Sequence, residues 1–187
     1  MMKKILRCLF LCGILLTVPG CFFGGSTRET RVFDLAGTAG KTMDLPCGVH
    51  FLFFRNLSGS DRRFLLRMSD GRVISDEFSR WLMDPELMLE RFLRDRIRGE
   101  GASVIRIRGV INRFELDLKR RKALLAADFE LREDDRTVLV SSRIEKDFKA
   151  EPFDAASAAK AMGLCAEETA SHLGRHIRAF AAKKPEK

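Results

Sequence analysis

Apolar positions along the chain recur mostly with period two, and with period three to four in two stretches, one of them close to the carboxyl end. Residues 31–35, Arg-Val-Phe-Asp-Leu, predict a first strand, followed by a Gly- and Thr-rich loop over 36–48 that contains Pro46. Residues 49–54 are apolar at every position but His50 and are expected to form a strand buried on both faces. Residues 56–61 break it. From Arg63 to Met68 the chain alternates, with Phe64, Leu66 and Met68 on one face and Arg63 and Arg67 on the other; Ser69-Asp70-Gly71 is a turn signal from which 72–75 can pair back. A helix follows. Asp84 suits its N-cap, Pro85 its first position, and Met83 with Met88 a hydrophobic staple. Its apolar stripe is Met88, Leu89, Phe92, Leu93 and Ile97, and Gly99 and Gly101 are expected to end it.

The next three segments predict a meander. Over 103–118 the apolar positions are first odd (Ile105, Ile107), with Arg106, Arg108 and Val110 facing the other way, and later even (Phe114, Leu116, Leu118). Such a switch of parity needs a bulge or sharp bend, and Gly109 lies at the expected place. Leu125, Ala127, Phe129 and Leu131 mark the second strand, 133–136 the turn, and Val138, Val140, Ile144 and Phe148 one side of the third. A long helix is predicted over 155–180, with Ala158, Met162, Cys165, Thr169, Leu173, Ile177 and Phe180 as its buried stripe. Two helices over one face of a mostly antiparallel sheet bury these stripes economically, which makes the expected class α+β.

The amino terminus changes the picture. Lys3, Lys4 and Arg7 precede an apolar run from Cys8 to Val18, which is shorter than the roughly 20 residues a transmembrane helix needs. A basic start, a short apolar stretch and then small residues form the layout of an export signal. Val18-Pro19-Gly20-Cys21 resembles the bacterial lipobox, with a small residue just before a Cys that becomes diacylated on sulfur and starts the mature chain. The alternative is an ordinary cleaved signal followed by a free Cys. The expected organisation is a signal peptide over 1–20, a lipidated Cys21 with a tether over 21–29, one domain over 30–182 and a charged tail over 183–187. In bacteria that sort lipoproteins by the residue after the Cys, Phe22 in place of Asp favours the outer membrane. Two acyl chains give stable anchoring, each buried methylene contributing about 0.8 kcal/mol.

Loss of residues 1–20 leaves 167 of the 187 residues, enough for one core, and lowers the formal charge from +8 to +5. For an exported chain, a moderate basic balance points to anionic lipid or acidic protein rather than to nucleic acid. With Tyr absent, one Trp and fifteen Phe, the core is expected to rest on Phe and Leu. Cys47 and Cys165 are the cysteines left beyond the signal and Cys21. A disulfide between them and two separately buried thiols are both open.

The order of these features resembles the ABC-type transport auxiliary lipoproteins, the PqiC-like group once catalogued as a domain of unknown function. The residues that carry the resemblance are Val32-Phe33-Asp34-Leu35, then Arg63 to Arg67, then Arg80-Trp81 ahead of the Pro85 helix, then Gly109 to Glu115 with its Phe114-Glu115 pair, and the alanine-rich closing helix. The chain lacks the Pro-x-Tyr-Leu-Asp-Arg-Pro stretch expected before Arg63, and continues its Arg-Trp as Leu-Met-Asp-Pro where the group has Ala-Glu-Pro-Leu. The resemblance implies a non-enzymatic periplasmic subunit at the outer membrane. It would work with an MCE-domain protein and an ABC permease in moving lipids between membranes, with no cofactor. A homo-oligomer is compatible with such a path. The rival reading is an envelope or secretion-system assembly lipoprotein.

Candidate contact residues for a partner or lipid are Arg80 and Trp81, and the basic turn Lys119, Arg120, Arg121 and Lys122. Trp81 also suits a core anchor, and the basic turn also suits simple solvated charge. Glu168, His172 and His176 form an i, i+4, i+8 row that could hold a divalent metal. Such a row is more often simply the polar shoulder of an amphipathic helix, and no metal site is assigned. Ser141, Ser142, Ser157 and Ser171 sit in no nucleophile motif, and no Gly-rich phosphate loop follows a strand, so no catalytic residue is expected.

Overall fold

The computed structural model describes residues 29–35, 41–148 and 153–183. The chain runs β1 (Arg31–Phe33), β2 (Met43–Leu45), β3 (Gly48–Asn56), β4 (Arg63–Arg67), β5 (Val73–Trp81), α1 (Pro85–Arg96), β6 (Ile97–Gly99), β7 (Val104–Asp117), β8 (Lys122–Glu133), β9 (Arg136–Asp147) and α2 (Ala155–Ala182). Seven strands form one sheet in the order β1-β5-β4-β7-β8-β9, and β3 shares an edge of β7 with β4. The fold is α+β, with a mixed sheet.

The long strand β7 organises this sheet. Its far edge pairs antiparallel with β8 from Arg106 to Asp117, and β8 in turn pairs with β9 from end to end. Its near edge is divided, with β3 lying parallel along residues 104–111 and β4 parallel at Leu116 and Asp117. The register against β8 slips between Ile111 and Arg113, so the parity switch falls at Asn112, three residues beyond the expected place. Ile105, Ile107 and Ile111 before the slip, and Phe114 and Leu116 after it, all reach the same core. Gly109 serves another purpose. A Cβ there would lie 2.8 Å from the Phe54 ring, so the missing side chain makes room for that ring.

Both helices pack on one face of the sheet. α1 buries Met88, Leu89, Phe92 and Leu93, and α2 buries all seven positions of its expected stripe; all of these but Thr169 join the strands' inward residues in one apolar cluster. Asp84 occupies the N-cap of α1 without a side-chain cap bond, whereas the Asp154 carboxylate accepts from the Ala156 N–H at the start of α2. The first helix ends at Arg96, ahead of the two glycines expected to stop it, because Ile97–Gly99 turns into a strand that pairs parallel with β2. That small sheet was not foreseen. β3 also departs from expectation. Phe51 and Phe54 point into the core, but the register slips between them and leaves Phe53 57% exposed.

Cys47 and Cys165 are free, buried thiols, and no disulfide joins them. Each sits in its own place in the core, Cys47 beside the β2–β6 pair and Cys165 inside α2, where its Sγ lies 3.5 Å from the Ala123 carbonyl oxygen that accepts from it. Burial pushes the Cys165 thiol up to about 12 and raises that of Cys47. Since the thiolate is the reactive form, both are expected to resist an aqueous maleimide in the native protein and to label fully in urea. Fast native labelling at either position, read by peptide mass spectrometry, would contradict this placement.

Candidate functional site

With both helices on one side, the outward side chains of β3, β7, β8 and β9 form a face that no described element covers. Cα registration sets them in rows across the strands. His50, Arg106, Arg132 and Thr137 make the first, Arg108, Glu130 and Leu139 the centre of the second, and Arg55, Val110, Asp128 and Ser141 the third. The slip in β3 adds to the second row. Leu52 lines a shallow depression with Arg106, Arg108 and Glu130, and Phe53 lines the adjoining one with Arg55, Val110 and Leu139. Leu139 is 76% exposed, the most of any large apolar residue described. The Arg108 guanidinium lies over the Phe53 ring, 5.5 Å from its centroid, a cation–π contact at an exposed site.

The same face is closed at its other end by the protein's own ion pairs. Arg67 grips buried Glu115 with two bonds of 2.9 and 2.8 Å, Arg113 approaches Glu115 at 3.7 Å, and Arg120 donates twice to Glu145. The Arg120 guanidinium holds the Glu145 carboxyl below the usual carboxylate range. Among the described residues, Arg55 and Arg106 have no such carboxylate. Arg108 reaches Glu130 only at 4.0 Å, and Arg132 donates to the Asp134 carbonyl at 3.4 Å. Arg106 stands directly opposite Arg132 in the register, an arrangement that costs stability in an antiparallel pair.

The contact residues expected from sequence divide differently. Trp81 is 1% exposed and stacks on Phe64 at 4.1 Å between centroids, with Phe114 edge-on at 5.0 Å, so its ring anchors the core. Its neighbour Arg80 is exposed, pointing away from that core. The turn between β7 and β8 carries Lys119 to Lys122; there Arg120 is taken by Glu145, Lys122 pairs with Asp147 at 3.4 Å, and Arg121 adopts φ 57°. Solvated charge on internal partners accounts for Arg120 and Lys122. Glu168 of the helix row pairs with Lys146, while His172 and His176 lie 4.6 Å apart between ring centroids. Burial first, and then the neighbouring His176, push the His172 imidazole down. Among the described residues no three His, Cys, Asp or Glu side chains gather as a metal would require, and no helix is long and apolar enough to cross a membrane. Cys21 and its tether up to Arg28 lie outside the described residues.

Sequence reasoning placed Arg106 and Arg108 on the face opposite the core but missed Phe53 and Leu139 as its apolar members. The bulge that turns Phe53 outward has no signal in the continuous apolar residues 51–54.

No family model and no curated protein matches the chain. Its fold does match solved structures. One, described as an uncharacterized protein, superposes with a TM-score of 0.61 at 10% identity over 80% of this chain and 99% of its own. Another, a Xanthomonas campestris protein described under the family DUF330, gives a TM-score of 0.56 at 14% identity over 83% of this chain and 95% of its own. At such identities the likeness is one of fold: this chain has the architecture of a DUF330 structure.

Proposed function

We propose that the chain is a lipoprotein of the bacterial outer membrane, anchored through Cys21 with its domain in the periplasm, and that it serves as a non-enzymatic auxiliary subunit of an MCE/ABC-type intermembrane lipid transport system. The observation that carries this reading is the order of short motifs, from Val32-Phe33-Asp34-Leu35 through Arg80-Trp81 to Phe114-Glu115, on a fold shared with a DUF330 structure, the family of the PqiC-like auxiliary lipoproteins. The Val18-Pro19-Gly20-Cys21 tetrapeptide supports the anchor, and Phe22 after the Cys supports the outer membrane.

The test is extraction of the envelope fraction from cells carrying the wild type or Cys21→Ala, with mass spectrometry of the amino terminus and of the proteins that co-purify. The wild type is expected to need detergent, to begin at an acylated Cys21 and to bring an MCE-domain protein or permease with it; Cys21→Ala is expected in the soluble fraction. An unmodified chain that is soluble as wild type would sink the anchor. Co-purification with outer-membrane channel components in place of transport subunits would favour the envelope-assembly reading.

A further inference from the structure

We infer that the uncovered end of the sheet face, centred on Arg108, Phe53 and Leu139, is a docking surface for another protein, through a segment that carries carboxylates beside apolar side chains. The charge pattern identifies the occupant. In the three rows, Arg55, Arg106, Arg108 and Arg132 face two carboxylates, Asp128 and Glu130. At the opposite end of this face every nearby guanidinium among Arg67, Arg113, Arg120 and Arg143 meets an internal carboxylate within 4 Å. Arg108 reaches Glu130 at the 4.0 Å limit and Asp134 lines the depression beside Arg106 and Arg132, yet among the described residues Arg55, Arg106 and Arg132 have no carboxylate within that distance, and the opposed Arg106 and Arg132 have an energetic reason to accept one. Phe53 and Leu139 supply the apolar centre that makes such an interface more than an ionic encounter.

Two other occupants fit less well. A second copy of this face would set its excess guanidiniums against each other. An anionic bilayer would meet Glu130 in the second row and Asp128 in the third, two carboxylates that repel its headgroups; mixed charge in register suits a protein surface. The inference deepens the proposed function by naming the surface through which a binding subunit meets its partner, and rests on that reading for the presence of one.

The test places a p-benzoylphenylalanine cross-linker at Leu139 of the full chain in its native host, with Leu164 on the exposed side of α2 as the comparison site. The expected result is a Leu139 cross-link to a different protein, whose linked peptide carries Asp or Glu next to apolar residues, in a yield that Arg106→Glu lowers at least about tenfold. Arg106→Glu is informative because it replaces the unfavourable Arg106–Arg132 opposition with an attractive pair. The thermal midpoint of the isolated protein is therefore expected to hold or rise while docking weakens, which separates lost docking from lost folding. A cross-link to lipid alone, to a second copy of the chain, or at Leu164 but not Leu139 would overturn the surface, as would a yield that Arg106→Glu leaves unchanged. Co-purification of transport subunits without a Leu139 cross-link would remove the surface and keep the transport reading; loss of both would remove the two together.

Discussion

Trp81→Ala is expected to cost about 3–5 kcal/mol of stability, the range for emptying a large aromatic from a packed core. The indole lies between the stacked Phe64 ring and the edge-on Phe114 ring, with Phe33 beyond Phe64 at 5.2 Å. Truncation leaves four strands without the ring that fills the space between β5 and the middle of the sheet. Against a total of roughly 5–15 kcal/mol for a domain, that is about a fifth of the stability or more, and the urea midpoint is the measurement. Trp81→Phe makes the argument specific. The indole Nε1 is buried without a hydrogen-bond partner, and an unpaired buried N–H is itself unfavourable by about 1–3 kcal/mol. Replacing it with a benzene ring gives up volume but removes that penalty, so Trp81→Phe is expected to lose well under half of what Trp81→Ala loses. Equal losses would show that the indole nitrogen is satisfied in solution.

Gly99→Ala is expected to be the most damaging glycine-to-alanine substitution among the described residues, with a loss of about 3 kcal/mol, the upper end for overpacking. A Cβ at Gly99 would fall 2.0 Å from the Cys47 carbonyl oxygen, and that oxygen belongs to backbone held in place next to Gly48, whose N–H donates to the Ser103 carbonyl at 2.8 Å. No rotamer change relieves it. Relief requires β6 to move away from the segment that leads into β3, which disrupts the Leu45–Gly99 register. Gly109→Ala offers the contrast. Its clash, at 2.8 Å, is with the Phe54 ring, a side chain that can shift, so a smaller loss is expected there and Phe54→Leu should relieve part of it. The comparison is read from thermal midpoints. A Gly99→Ala loss no larger than that of Gly109→Ala would mean that the β2–β6 pair is pliable.

Periodicity made most of this architecture readable, and the departures have physical causes. The α2 stripe was legible because spacing by three and four has no strand alternative over seven positions. β8 was legible from the recurrence of Leu125, Ala127, Phe129 and Leu131 at every second position. What periodicity cannot encode is which strand lies beside which. The parallel pairing of β3 and β4 along a single edge of β7 leaves no local trace, and neither does the three-residue β2–β6 pair. β5 runs to Trp81 rather than stopping near Ser75, because β1 pairs with Ser79 to Trp81 and β4 with Arg80, contacts that leave no local trace. The uncovered face was half legible. Arg106 and Arg108 alternate with isoleucines and so had to face outward, but Phe53 leaves the core only because β3 slips against β7, a tertiary event. Trp81 had two sequence readings, and packing against Phe64 and Phe114 decides between them.

The divided edge of β7 has a consequence for the order in which the chain assembles. β7, β8 and β9 are joined by tight turns, and their pairing is local. β3 and β4 instead reach β7 across long stretches of sequence, and the loop-closure entropy of such contacts has to be met before they contribute. The meander is therefore expected to gather first, with the carboxyl-terminal helix closing over it, while the amino-terminal half attaches late. The seam along which β3 and β4 meet β7 is then also where the folded protein opens most readily, ahead of the β7–β8–β9 ladder. The backbone amides of β3 and β4 should exchange with solvent sooner than those of β8.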